Sequence, residues 1–260
     1  MGERASYTPG TFSWVDLASP DQEASKRFYG ELFGWELTDN PVGDGDVYTM
    51  ASIGGRNVAA IAPQPRQQRD AGVPPMWQSY VTVTSADETL ERARELSGNV
   101  HAGPFDVMEA GRMGVVQDPQ GAFFMVWEPR RHPGAGLVNA HGALCWNELA
   151  TPDVEASATF YGRLFEWTTE TMDAGGMPYR VVKNRDGATN GGLRPAASTE
   201  PCYWLVYFAT DDLDETLATL RRLGGKQLME EPMTMGPSRL IAVQDPQGAV
   251  FALYTGHLDE

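Results

Sequence analysis

The stretch Phe12-Ser13-Trp14-Val15-Asp16-Leu17-Ala18-Ser19-Pro20-Asp21 returns later as Leu144-Cys145-Trp146-Asn147-Glu148-Leu149-Ala150-Thr151-Pro152-Asp153. Phe28-Tyr29-Gly30-Glu31-Leu32-Phe33-Gly34-Trp35 likewise returns as Phe160-Tyr161-Gly162-Arg163-Leu164-Phe165-Glu166-Trp167, so that both matches are 132 residues apart. Val116-Gln117-Asp118-Pro119-Gln120-Gly121-Ala122 recurs as Val243-Gln244-Asp245-Pro246-Gln247-Gly248-Ala249, now 127 residues apart. Self-similarity at one long period means two copies of one folding module. The 260 residues therefore divide into a first module over 1–130, a linker over 131–143 and a second module over 144–260.

Each copy opens with an alternating strand, in which Trp14, Asp16 and Ala18 share one face and Val15 and Leu17 the other. Pro20-Asp21 and Pro152-Asp153 start a helix with Asp as N-cap and Glu23 or Glu155 in the first turn. Phe28, Leu32 and Trp35, repeated as Phe160, Leu164 and Trp167, recur at helical spacing and read as core. Two or three strands follow, near 47–53 and 58–62 in one copy and near 179–183 and 191–194 in the other. The Pro-, Gln- and Arg-rich stretch 63–75 reads as an exposed connection. A strand at 77–83 or 204–210 and a helix at 87–96 or 214–223 come next. A hairpin around Asp-Pro-Gln-Gly closes each copy. The expected architecture is α+β, with tandem βαβββ modules forming curved, cupped mixed sheets.

Hydrophobic residues at 42% and aromatics at 10% suffice for a packed core. A formal charge of −15 argues against nucleic acid or an anionic membrane as partner, because both need a basic footprint. Cys145 and Cys202 are the only cysteines, which suits a reducing cytoplasm. The first ten residues have no apolar core of a signal peptide, and no run of about 18 apolar residues predicts a membrane span. A cytoplasmic location is expected. No nucleophile elbow, phosphate-binding loop or dinucleotide fingerprint is present.

The helix-opening Pro-Asp, the Phe-Tyr-Gly-x-Leu-Phe-x-Trp motif and the Asp-Pro-Gln-Gly turn before the last strand together resemble the vicinal-oxygen-chelate superfamily. That superfamily includes glyoxalase I, extradiol dioxygenases, fosfomycin-resistance enzymes and bleomycin-resistance proteins. The resemblance covers about 12–128 and 144–256, and the two-module form is similar to glyoxalase-like proteins of antibiotic, anthracycline-type, biosynthesis clusters. It implies the fold; function does not follow from fold. Metal-dependent members hold a divalent ion with His on the first strand, His, Gln or Glu on the middle strand and Glu on the last. Those places fall on Trp14, Gln78 and Met125 in one copy and on Trp146, Leu205 and Ala252 in the other. Only Gln78 is a donor, so neither metal nor other cofactor is expected. The four histidines, His101, His132, His141 and His257, read as exposed loop residues away from any strand.

Trp14 and Trp146 instead point into the ligand place, with Asp16 and Glu148 on the same faces. Gln78, Tyr80 and Thr82, then Met125 and Trp127, complete one cup; Leu205 and Tyr207, then Ala252 and Tyr254, complete the other. With Tyr48 and Tyr179 from the neighbouring strands, these form the candidate ligand-binding set. Aromatic walls bind flat rings by stacking. A carboxylate beside each Trp suits a ligand amine or hydroxyl, or else needs a buried partner, for which the repeat-matched Arg112 and Arg239 are candidates. Three readings stay open. The first is a metal-free binder of an aromatic small molecule, an antibiotic or polyketide intermediate, that sequesters it or presents it to a partner oxygenase. The second is an enzyme using Asp16 or Glu148 as acid–base. The third is a metalloenzyme with unusual ligands. Pairing of the modules within a monomer and pairing in a homodimer are equally open.

Overall fold

Eight strands of the first module form one sheet in the computed structural model, which describes residues 2–43, 45–174 and 177–258. Their spatial order is Glu36–Gly43, Asp46–Ile53, Arg56–Pro63, Phe12–Ser19, Met76–Thr82, Phe123–Pro129, Gly111–Gln117 and Asn99–Val107. Phe12–Ser19 and Met76–Thr82 lie antiparallel at the centre, and each has a parallel neighbour on its other side, Arg56–Pro63 and Phe123–Pro129. Each copy therefore holds the βαβββ order twice, once from 12 to 63 and again from 76 to 129. The second sheet repeats this, with Leu144–Thr151 and Tyr203–Ala209 central. Both sheets curl into half-barrels. Two outer strands per module extend the expected set, Glu36–Gly43 and Asn99–Val107 in the first, and the 63–75 connection includes one short helix, Arg66–Asp70. The linker contributes Leu137–Val138, which pairs with Gly2–Glu3.

Helices Gln22–Phe33 and Val154–Phe165 start where the Pro-Asp pairs predict: Asp21 accepts from Ala24 N–H at 3.0 Å and Asp153 from Ala156 N–H at 2.9 Å. Each ends in a left-handed residue, Gly34 in one copy and Glu166 in the other. Phe28, Leu32, Trp35, Phe160 and Trp167 are buried, as their spacing implies.

The cores cross between modules. One is built from Val15, Leu17, Tyr29 and Phe33 of the first module with Phe208, Leu217 and Phe251 of the second. The other joins Leu90, Phe124 and Val126 to Tyr161, Phe165 and Trp204. In each Asp-Pro-Gln-Gly turn one Asp oxygen accepts three backbone N–H groups, from Gln120, Gly121 and Ala122 or from Gln247, Gly248 and Ala249. The other oxygen accepts a hydroxyl from the opposite module, Tyr161 to Asp118 at 2.8 Å and Tyr29 to Asp245 at 3.0 Å. The most repetitive motifs of the chain thus join the two sheets back to back and leave the concave faces pointing outward.

Candidate functional site

The two concave faces have the same register and different contents. Trp14, Tyr80 and Met125 sit side by side on adjacent strands of the first, and Trp146, Tyr207 and Ala252 on those of the second. Gln78 therefore lies opposite Asp16, two pairs along from Trp14 on the same face. Met125 fills space on the floor that Ala252 leaves free.

The first cup is closed. Ala135 and Val138 of the linker pack against Trp14, Tyr80, Met125 and Trp127. The His132 ring meets Trp14 edge-on at 4.5 Å, and Trp127 Nε1 donates to the His132 carbonyl at 2.9 Å. Trp14 is 2% exposed. Its Nε1 donates to the Tyr48 hydroxyl at 2.9 Å, while Tyr48 and Tyr80 donate to one Asp16 oxygen at 3.0 and 2.8 Å. Burial pushes the Asp16 carboxyl up to about 6, against the opposing pull of its two tyrosine donors. Burial also pushes His132 down to about 4. Trp14, Tyr80, Met125 and Trp127 stand together as packed wall beneath the linker, with Asp16 and Tyr48 hydrogen-bonded among them and half-exposed Gln78 beside Asp16.

The second cup is open. A cavity of about 520 Å³ is lined by Trp146, Glu148, Tyr179, Tyr207 and Tyr254 from the expected set, whereas Leu205 is buried beside it. Trp146 is only partly buried, and its Nε1 donates to the Tyr179 hydroxyl at 2.9 Å. Glu148 receives Arg194 Nε at 2.7 Å and the hydroxyls of Tyr179 and Tyr207. Arg194 also grips both oxygens of Glu200, at 2.8 and 2.5 Å. The carboxylate partners differ from the expected ones: Arg112 pairs with Asp87 and Asp106, and Arg239 with Asp214, all on the outer surface. Glu148 is thus committed to an internal ion pair, and Asp16 lies outside the cavity.

Residues 4–12 complete the open cup, with Arg4, Tyr7, Thr8 and Phe12 on its wall. The linker and this opening segment are structural counterparts. Trp35 Nε1 donates to the Gly142 carbonyl at 2.8 Å, and Trp167 Nε1 to the Gly10 carbonyl at 2.5 Å. Each strap crosses the cup of the opposite module, but only the linker packs apolar residues into the Trp14 cluster, Ala135 and Val138, of which Val138 also borders the open cavity. Nothing in the repeat marks residues 4–11, since they precede it; the one hint is a matching Gly10 and Gly142 just ahead of each copy.

Residues 11–126 match the Glyoxalase/Bleomycin resistance protein/Dioxygenase superfamily, and residues 145–254 match a Glyoxalase-like domain. The chain is 41% identical to CFP32 of Mycobacterium tuberculosis over 97% of either chain. It is 33% identical to the anthracycline biosynthesis protein DnrV of Streptomyces peucetius, covering 95% of this chain and 94% of that one. The chain belongs to the glyoxalase/bleomycin-resistance/dioxygenase superfamily. Among solved structures of that superfamily, the Mn(II)-bound glyoxalase from Novosphingobium aromaticivorans is similar in fold. Its TM-score is 0.64 at 16% identity, over 95% of this chain and 82% of that one.

Metal-binding members of the superfamily need donors that these cups do not present. Trp14, Gln78 and Met125 offer one oxygen donor together, Trp146, Leu205 and Ala252 offer none, and among the described residues no three His, Cys, Asp or Glu converge. The histidines are also dispersed, though not all as loop residues in solvent. His101 sits on the edge strand Asn99–Val107 within reach of Gln117, and His132 and His141 are half-buried. His257 is exposed at the rim of the open cup. Among the described residues, neither cup presents a donor set that fits a divalent ion. Among the described residues no helix is long and apolar enough to cross a membrane.

Proposed function

We propose that the second module binds a planar aromatic small molecule without a metal, in the manner of an anthracycline-type polyketide, either to sequester it or to hold it for a partner oxygenase. The carrying observation is the contrast between two equivalent tryptophans: Trp14 is sealed beneath the linker, while Trp146 is accessible on the floor of a cavity of about 520 Å³. That volume suits a drug-sized ligand. The wall is mainly aromatic and aliphatic, with Met235 and Leu240 lining it together with Trp146, Tyr179 and Tyr207. Ring stacking contributes about 0.5–1.5 kcal/mol beyond burial. The name of DnrV, which places that protein in anthracycline biosynthesis, supports a ligand of this class.

Titration of tryptophan fluorescence with a panel of planar polycyclic aromatics tests the reading. Trp146→Ala should weaken binding by about 1–3 kcal/mol, and Trp146→Phe should retain most of it. Trp14→Phe should leave binding unchanged. Equal affinity of the parent and Trp146→Ala would place the ligand elsewhere.

A further inference from the structure

Among residues with a charged or imidazole side chain, the cavity wall holds Arg4, Glu148 and His257. Glu148 is saturated: Arg194 Nε and the hydroxyls of Tyr179 and Tyr207 all point at its carboxylate. A ligand amine arriving there would compete with a guanidinium already in place.

Arg4 is the reverse case. Its hydrogen bond goes to the neutral carbonyl of Glu3 at 3.0 Å, and among the described residues no carboxylate lies within ion-pair distance of it. Its backbone is nevertheless fixed. Gly2 and Glu3 pair with Val138 and Leu137, and Arg4 N–H donates to the Gly136 carbonyl at 3.1 Å. The side chain is half-buried, which reduces the screening by salt that an open surface would give. Arg4 also stands on the strap that crosses the open cup and is one of the residues lining it, at the border with a smaller hollow beside Arg56 and the linker.

We infer that Arg4 selects aromatic ligands that carry an anionic oxygen, a carboxylate or an ionised phenol, over neutral or cationic ones. This rests on the cavity being an aromatic-binding site, as proposed above. The ring system lies against Trp146 and the anionic oxygens meet the guanidinium, whose planar fork matches a carboxylate with two parallel hydrogen bonds. The ligand supplies the counter-charge that the described residues do not place beside Arg4.

Anthraquinone-2-carboxylate and its neutral 2-hydroxymethyl analogue share one ring system and differ in charge. At low ionic strength the parent should bind the carboxylate about tenfold more tightly than the alcohol. Arg4→Gln should remove that preference by weakening the carboxylate about tenfold more than the alcohol. Arg4→Lys, which keeps charge and loses the fork, should retain a preference of about threefold. Added salt should shrink the parent's preference. Equal binding of the two probes by the parent, or an equal loss of both in Arg4→Gln, would overturn the role of Arg4 while leaving the aromatic site standing. Binding of neither probe would overturn both.

Discussion

Arg194 Nε reaches Glu148 Oε1 at 2.7 Å, and the position equivalent to Arg194 in the first module is Ala62. One arginine without a repeat partner separates the two carboxylates. Glu148 is ion-paired and stays on the wall of an open cup; Asp16, with only tyrosines for partners, is shut in. Removing the cation should expose the difference. Arg194→Met leaves Glu148 and Glu200 without their counter-charge in a mostly buried site, and should cost about 3 kcal/mol in a urea melt. Glu148→Gln, which keeps shape and an acceptor, should cost about 1 kcal/mol.

Asp16 should impose a pH dependence of opposite sign to that of a salt-bridged carboxylate. Its folded value, pushed up to about 6, exceeds the unfolded one, so the folded state holds the proton more firmly. The stabilisation is complete below about pH 4 and is lost as pH rises through 6. Against Asp16→Asn as reference, the parent should lose about 2–3 kcal/mol of relative stability between pH 4 and pH 8. A flat difference across that range would mean that Asp16 is solvated.

The two cup tryptophans should separate stability from binding. Trp14→Ala removes a ring from a sealed cluster and should cost about 3–5 kcal/mol of stability. Trp146→Ala widens a space already open to solvent and should cost less than about 2 kcal/mol. Paired thermal melts of the two variants give the comparison.

Each cross-module tyrosine accepts from a tryptophan and donates to a turn aspartate: Trp77 to Tyr29 to Asp245, and Trp204 to Tyr161 to Asp118. Tyr29→Phe or Tyr161→Phe leaves a buried indole N–H and a carboxylate oxygen unmatched. Each should cost about 2–3 kcal/mol by denaturant titration.

Chelation should have no effect on ligand affinity. Prolonged dialysis against EDTA, followed by the same fluorescence titration and elemental analysis, checks this. A metal near one equivalent per chain whose removal abolished binding would contradict the donor argument.

The repeated motifs made the two-module organisation, the capped helices and the buried aromatic stripe legible, because each is local chemistry written twice. The outer strands Glu36–Gly43 and Asn99–Val107 were not, since Asp39-Asn40-Pro41 and Gly103-Pro104 interrupt any alternation of apolar and polar residues. Which residues share the concave face of the central strands was legible from alternation, yet which cup is open was hidden. The decision lies in how Ala135 and Val138 of the linker pack, and small apolar residues in a Gly-rich segment carry no signature of that. Reading by repeat also directed attention to the matched Arg112 and Arg239. Arg194 and Arg4 act where the copies differ, so the same comparison passed over them.

The crossed cores bear on how this protein can be divided. Val15, Leu17, Tyr29 and Phe33 find their complement in Phe208, Leu217 and Phe251 of the other module, with Trp77 alone joining them from 76–129 among the buried residues of this cluster. A gene fragment encoding either module alone would produce a polypeptide with an oily, uncovered back. Because the two backs descend from one pattern, such a fragment would satisfy itself with a twin, assembling as a symmetric pair. Expressed together, the two fragments should reassemble into the parent shape, whereas a protease cutting between them would leave the halves clasped.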